Sequence, residues 1–113
     1  MKNPLFPEFP EYDDTLTIPS GWIDSSWHNN ACPSITKKIF SKKLSIVIWC
    51  DYKDPSMRDF NGGQQFAVSI ETLDELGEDH YEPMGWFNTF DNALVFANAL
   101  SSKLIVSGYK EGR

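Results

Sequence analysis

The stretch LSIVIWCDY, residues 44–52, decides the fold. Its apolar residues recur at every second position, and a period of two is typical of a β-strand. One face of this strand is apolar and predicts contact with a core: Leu44, Ile46, Ile48, Cys50 and Tyr52. The other face is mixed, which is typical of the half-covered side of a central strand: Ser45, Val47, Trp49 and Asp51. Asp51 is a candidate site residue, because its carboxylate shares a face with Trp49.

Further strands are expected on both sides of this stretch. Residues 35–40, ITKKIF, precede it after a three-residue connection, which predicts a β-hairpin. Residues 65–71, QFAVSIE, alternate in the same way and predict another strand, and residues 84–88, MGWFN, predict one more. A short strand is also expected around residues 16–18, whereas residues 74–83, DELGEDHYEP, are expected to form a loop.

The last element is an amphipathic helix. Two N-cap residues, Thr89 and Asp91, are available at its start. Its apolar residues follow the i, i+4, i+7, i+11 pattern of a buried stripe: Ala93, Leu94, Ala97, Leu100 and Leu104. Residues 104–109 either form a terminal strand or are the frayed end of this helix. Strands followed by a helix predict an α+β domain, with an antiparallel β-sheet of about four strands and one C-terminal amphipathic helix packed on one face.

A proline-rich and aromatic arm, residues 1–14, precedes the predicted domain, residues 15–113. A chain of 113 residues has room for one hydrophobic core, so we expect a single domain. The prolines of the arm are three residues apart, which favours an extended polyproline II conformation. We expect its aromatic residues to pack onto this domain. In the alternative they dock on another subunit, which would make the protein a homo-oligomer with a structural or assembly role.

Charge and cysteine content disfavour several classes of protein. The net charge of −6 disfavours nucleic acid as a partner, since phosphate contacts need Lys and Arg, and it also disfavours anionic membranes. The longest apolar run is too short to span a bilayer. Two cysteines are too few for a disulfide scaffold, and the N-terminus lacks the apolar run of a signal peptide. We therefore expect a cytoplasmic protein with reduced thiols and no membrane contact.

The residues that could carry chemistry are few. The soft metal ligands are His28, Cys32, Cys50 and His80, and His28 with Cys32 is the one closely spaced pair. Structural zinc needs four such ligands, so we predict no metal and no other cofactor. Cys32, His28 and Asp51 can be drawn as a nucleophile, a base and an orienting group, but no cationic neighbour in sequence activates the thiol. We assign no catalytic residue. A small-ligand-binding protein or minor enzyme that uses His28 and Asp51 is the alternative.

Two regions are candidate binding surfaces. The loop from residue 22 to residue 30 concentrates residue types that anchor interfaces: Trp22, Trp27, His28, Asn29 and Asn30. In the alternative, the tryptophans plug the end of the sheet and the asparagines bond their own backbone. The acidic stretch, residues 71–82, carries Glu75, Glu78 and Asp79, whose carboxylates can occupy a basic surface of a partner protein. The alternative is a solvated loop that keeps the protein soluble.

The block SSWHNNACPS, residues 25–34, followed by a strand that ends in WCDY, resembles small uncharacterised proteins encoded by tailed phages and prophages. The resemblance covers about residues 18–70 and implies no activity, ligand or catalytic residue. It implies a context, since small phage accessory proteins often bind host or phage machinery. We therefore expect a phage or mobile-element accessory protein that acts by protein–protein interaction, for example by inhibiting or modulating a host or defence factor.

Overall fold

The computed structural model describes residues 5–40, 44–58 and 63–106. These residues form strands β1 (Ile23–Asp24), β2 (Ser34–Phe40), β3 (Leu44–Cys50), β4 (Phe66–Leu73) and β5 (Asp79–Phe87), a 3₁₀ turn (Pro55–Met57) and helix α1 (Phe90–Val106). The strands pair antiparallel in chain order, β1-β2-β3-β4-β5. The predicted α+β fold is confirmed, with five strands among the described residues instead of about four.

Strand β3 lies at the centre of the sheet, and its register defines two faces. Ile48 lies opposite Ile35 of β2 and Val68 of β4, and all three are buried. This row belongs to the side on which α1 packs, which we call the helix face. One residue further along β3, Trp49 lies opposite Ala67 of β4. Because successive side chains of a strand alternate, this second row belongs to the opposite side, which we call the distal face.

Helix α1 closes the core with a stripe of apolar side chains. It begins after Thr89, whose Oγ1 accepts a hydrogen bond from the backbone N–H of Asn92 at 3.1 Å, as an N-cap does. The predicted stripe is confirmed by the residues that are buried in or packed against the core: Ala93, Leu94, Ala97, Leu100 and Leu104. Residues 104–106 continue the helix, and residues 107–109 lie outside the described residues. Within the described chain, no helix is long and apolar enough to cross a membrane.

The N-terminal arm forms two consecutive turns, not the expected polyproline II conformation. The N–H of Phe9 donates to the carbonyl of Phe6 at 2.8 Å, and the N–H of Tyr12 donates to the carbonyl of Phe9 at 3.0 Å. Pro7 and Pro10 each occupy the second position of a turn, where the fixed φ of proline is favoured. Because the turn repeats after three residues, Phe6, Phe9 and Tyr12 all enter the core and are buried. The aromatic residues of the arm thus pack onto this domain.

The strand expected around residues 16–18 is not part of the described sheet. These residues instead pack against the core without pairing. The chain then turns at Gly21, whose φ of 89° lies in the left-handed region that favours glycine. The first strand follows this turn, and Ile23 of β1 lies opposite Thr36 of β2. The strand prediction is therefore wrong, because the alternating apolar residues of this segment pack against the core without pairing with a strand.

The prediction of a loop at residues 74–83 is also wrong, because residues 79–83 belong to β5. The turn is confined to its start, where Asp74 Oδ1 accepts hydrogen bonds from two backbone N–H groups, both at 2.9 Å. Gly77, at a φ of 81°, completes this tight connection between β4 and β5. Strand β5 lies at the edge of the sheet. Its charged side chains and Pro83 are typical of edge strands, where they discourage pairing with another chain.

Candidate functional site

A groove crosses the distal face between the loop of residues 25–32 and strand β5. Its main cavity has a volume of about 500 Å³. The lining comes from the loop and from strands β2 to β5, and includes Trp27, Thr36, Trp49, Glu71, Asp79 and Tyr81. A second cavity, of about 400 Å³, shares Trp49 and Tyr81 with the first and extends to Trp86. Since Trp49 and Tyr81 line both, the two cavities adjoin, and we call them together the groove.

Small hydroxyl side chains form the floor of the groove. Ser34 and Thr36 of β2 and Ser69 of β4 face it and are buried. The Oγ of Ser25 lies 2.9 Å from the Oγ of Ser34 and accepts a hydrogen bond from Thr36 Oγ1 at 2.7 Å. Ser69, which is 6% exposed, lines the second cavity. The floor of the groove is therefore polar.

Aromatic side chains form the rim of the groove. Trp27 in the loop is 51% exposed, and Tyr81 and Trp86 of β5 are 47% and 49% exposed. Between them, the ring of Trp49 packs edge-on against that of Tyr81, with the two centroids 5.6 Å apart. Large aromatic side chains that stay half-exposed around a concavity are typical of surfaces that bind another molecule, since binding buries their apolar area.

Two carboxylates, Glu71 of β4 and Asp79 of β5, line the main cavity. Burial raises the pKa of Glu71 and Asp79 raises it further, against a hydrogen bond that the Tyr81 hydroxyl donates to Glu71 Oε2 at 3.1 Å. Burial and the charge of Glu71 also raise the pKa of Tyr81. Lys38 provides opposite charge nearby, but among the described residues it forms no salt bridge with either acid. The groove therefore concentrates negative charge that is only partly compensated.

The predicted loop of residues 22–30 divides between the core and the groove. Trp22 is buried in the core cluster, so its ring is not available at the surface. Trp27 and Asn30 both line the groove. The N–H of Asn30 donates to the carbonyl of Trp27 at 2.9 Å, which closes a turn, and Asn29 is exposed in that turn. The loop thus presents Trp27 and Asn30 to the groove on a hydrogen-bonded frame.

His28 joins this loop to the N-terminal arm. Its Nδ1 lies 2.6 Å from Glu8 Oε1, and its backbone N–H donates to the same oxygen at 3.1 Å. The hydrogen bonds from His28 lower the pKa of Glu8. The ring of His28 also packs against that of Trp27, with the centroids 4.3 Å apart. These contacts give His28 a positioning role for the groove loop.

Asp51 lies at the junction of β3 and β4 and is fully buried. Its Oδ1 accepts a hydrogen bond from the N–H of Tyr52 at 2.8 Å. Its backbone N–H donates to the carbonyl of Gln65 at 2.8 Å, and its carbonyl accepts from Gln65 Nε2 at 3.2 Å. Asp51 and His28 are held by different partners, and neither lines the groove.

Of the three acids predicted as a binding surface, Asp79 lines the groove. Glu75 and Glu78 are exposed in the turn between β4 and β5, outside it. Glu71 and Tyr81 lie within the predicted acidic stretch, residues 71–82, but were not singled out as site residues, and neither was Trp86. Their proximity comes from the β4–β5 register, in which Glu71 lies opposite Tyr81. The alternation of β4 and β5, had both strands been recognised, would have placed these side chains on one face.

The candidate metal ligands and the two cysteines are distinct from the groove's pair of acids. The described residues contain no group of three or more His, Cys, Asp or Glu side chains that could hold a metal ion. Cys32 and Cys50 are buried and are not joined in a disulfide. Burial raises the pKa of Cys50, and the nearby Cys32 raises it further. A thiol that is held protonated is a poor nucleophile, so Cys50 is not a reactive cysteine.

Comparisons with known proteins assign no family to this chain. No protein-family model matches it, and neither a curated protein nor a solved structure matches it. The resemblance of residues 25–34 to phage-encoded proteins therefore gains no support from these comparisons. The basis for a functional assignment is the groove, with its aromatic rim, its hydroxyl floor and its pair of acids.

Proposed function

We propose that this chain is a non-enzymatic interaction protein that binds a partner protein through the groove on its distal face. The observation that carries the proposal is the aromatic rim, since Trp27, Tyr81 and Trp86 are each about half-exposed around the two adjoining cavities of the groove. Tryptophan and tyrosine are typical anchors of protein interfaces, because they bury a large area while few torsions are immobilised.

The shape of the groove favours a protein segment over a small substrate. Its two contiguous cavities, of about 500 and 400 Å³, are open to solvent, whereas small-molecule sites enclose most of their ligand. An extended peptide or a loop can fill both cavities with neighbouring side chains. A small-ligand-binding protein or minor enzyme that uses His28 and Asp51 is the weaker alternative, because His28 bonds Glu8 while Asp51 is buried beside Gln65.

The biological setting is proposed from the resemblance of residues 25–34 to proteins of tailed phages and prophages. We propose a cytoplasmic accessory protein of a phage or mobile element, whose partner is a host or phage-encoded protein such as a defence factor. The net charge of −6 supports a partner with a basic surface. Assembly through the arm is less favoured, because Phe6, Phe9 and Tyr12 are already buried in the core of their own chain.

Affinity capture with matched variants tests the proposed function. The tagged wild-type chain, Trp86→Ser and Val95→Ser are each incubated with a lysate of the cells that express the gene, and retained proteins are identified by mass spectrometry. Val95 is 70% exposed on α1, so Val95→Ser is a matched apolar control outside the groove. We expect a partner that the wild type and Val95→Ser retain, that Trp86→Ser loses, and that forms a complex of defined stoichiometry once purified.

Two further checks make this experiment decisive. Circular dichroism and thermal unfolding establish that each variant is folded, and Trp27→Ser provides a second groove variant in a different element. A partner that binds all of the variants equally would contradict the proposal. The same holds if the folded wild-type chain retains no partner.

A further inference from the structure

The main cavity of the groove combines two kinds of group that attract positive charge. Glu71 and Asp79 supply carboxylates, and Trp27, Trp49 and Tyr81 supply aromatic rings. Aromatic faces attract cations through the quadrupole of the ring, and carboxylates form charge-assisted hydrogen bonds with them. Both kinds of group line a single cavity of about 500 Å³, which has room for the end of a long side chain.

The acids of the cavity are not fully compensated by the protein itself. Burial and the neighbouring Asp79 raise the pKa of Glu71 despite the hydrogen bond from Tyr81, which is typical of a carboxylate whose charge is poorly stabilised. Lys38 is the nearby cation, but Ser45 separates it from Glu71 in the register of the sheet. A positive group placed between Glu71 and Asp79 would remove this penalty.

We infer that the main cavity receives a cationic side chain of the partner protein, either the guanidinium of an arginine or the ammonium of a lysine. The charged group lies between Glu71 and Asp79. Its alkyl stem passes along the rings of Trp27 and Tyr81. This inference rests on the proposed function and adds the chemical class that the groove recognises.

A peptide library tests this inference without knowledge of the natural partner. Displayed random peptides are selected on the wild-type chain and counter-selected on Trp27→Ser, so that binders that depend on the main cavity remain. We expect Arg or Lys to be enriched at one position. In the tightest peptide this residue is replaced by a neutral isostere, citrulline for Arg or norleucine for Lys, and calorimetry measures both dissociation constants. We expect at least about tenfold weaker binding, since the charged pair in the cavity is lost.

Matched variants of the chain separate the cavity from the general charge of the surface. Glu71→Gln and Asp79→Asn each remove one carboxylate from the cavity, and Gln at position 71 can still accept the hydrogen bond from Tyr81. Glu75→Gln and Glu78→Gln remove the same charge from the exposed turn nearby. We expect at least about tenfold weaker peptide binding for the first pair and less than about twofold for the second, because exposed charges are screened.

The outcomes distinguish the cation site from the proposed function. Groove-dependent peptides without a cationic position would overturn the cation site and leave the proposed function standing. Equal affinity for the neutral isostere, or equal losses in both pairs of variants, would do the same. A selection that yields no peptide weakened by either Trp27→Ser or Trp86→Ser would overturn both.

Discussion

The two faces of the sheet share their strands but differ in the side chains they present. The helix face carries large apolar side chains, such as those of Ile46, Ile48 and Phe66, and helix α1 packs over them. The distal face carries hydroxyl, acidic and aromatic side chains. Within the described residues no helix covers this face, and the loop of residues 25–32 borders it on one side.

The two faces also differ in where their small side chains lie. On the helix face, the small residues Ala93 and Ala97 belong to the helix, which lets it approach the large side chains of the strands. On the distal face, small residues such as Ser69 lie on the central strands. Of the large residues there, Trp27 and Trp86 lie at the two margins of the groove, and Trp49 of β3 lies between them. The core therefore lies on one face, and the proposed binding surface lies on the other.

Phe6→Ala is expected to have the largest effect on stability, although Phe6 lies near the start of the chain. Its ring is fully buried in the core and packs edge-on against Tyr12, with the centroids 5.1 Å apart. Loss of such a buried side chain costs about 3–5 kcal/mol of the free energy of unfolding. Urea denaturation followed by circular dichroism measures this loss.

Glu11→Ala is the control for Phe6→Ala, because Glu11 is an exposed residue of the same segment. It is expected to change the free energy of unfolding by less than about 0.5 kcal/mol. If Phe6→Ala costs less than about 1 kcal/mol, the arm does not complete the core beneath the helix face. The helix face and the distal face would then differ less in their contribution to stability.

The parts of the fold that could be predicted are those where burial dominates. The alternation of residues 44–50 and the apolar stripe of the helix both follow from contact with one core. The predictions failed where local chemistry outweighs burial. In residues 6–12, the prolines set turns instead of an extended arm. In residues 79–83, the strand is exposed at the sheet edge and therefore shows no apolar face.

The site could be predicted only in part, for a different reason. Trp27 and Asp79 were selected by residue type, and both line the groove. Glu71 and Trp86 were not selected, because their proximity depends on the pairing of β4 with β5, and the pattern of one strand does not contain its register with another. His28 was selected for its chemistry, but its contact with Glu8 depends on the position of the arm, which local sequence does not reveal.

The same substitution is expected to have different effects on the two faces. Ala97 is fully buried between α1 and the sheet, so Ala97→Leu overpacks the core and costs about 1–3 kcal/mol of the free energy of unfolding. Ala67 lines the cavity of about 400 Å³ on the distal face, so a leucine there extends into open space. Ala67→Leu is therefore expected to change stability by less than about 0.5 kcal/mol, measured by urea denaturation.

The two alanine variants are also expected to differ in their affinity for peptides. Ala67→Leu is expected to weaken the binding of groove-dependent peptides, because the new side chain occupies part of the groove. Ala97→Leu is expected to leave the affinity of the folded protein unchanged, since Ala97 lies on the helix face. Equal losses of stability in the two variants would mean that the distal face is packed as tightly as the helix face.

The smallest expected effect concerns the contact that joins the two faces. Glu8 belongs to the arm that completes the core, and His28 belongs to the loop that borders the groove. The hydrogen bonds from His28 lower the pKa of Glu8 below its usual value of 4.5. A carboxylate with a lowered pKa in the folded state contributes stability above its unfolded pKa, and this contribution is lost as the pH falls through the folded-state value.

Glu8→Gln removes this titration. The difference in melting temperature is expected to favour the wild type above about pH 5 and to shrink towards about pH 3. Asp74, whose pKa is lowered by His80, titrates in both proteins and cancels in the difference. Glu11→Gln changes the same charge in the same segment without removing the contact with His28, so its difference from the wild type is not expected to follow this pH dependence. Parallel differences would show that the arm and the groove loop are not joined in solution, so that the stability of one face is independent of the order of the other.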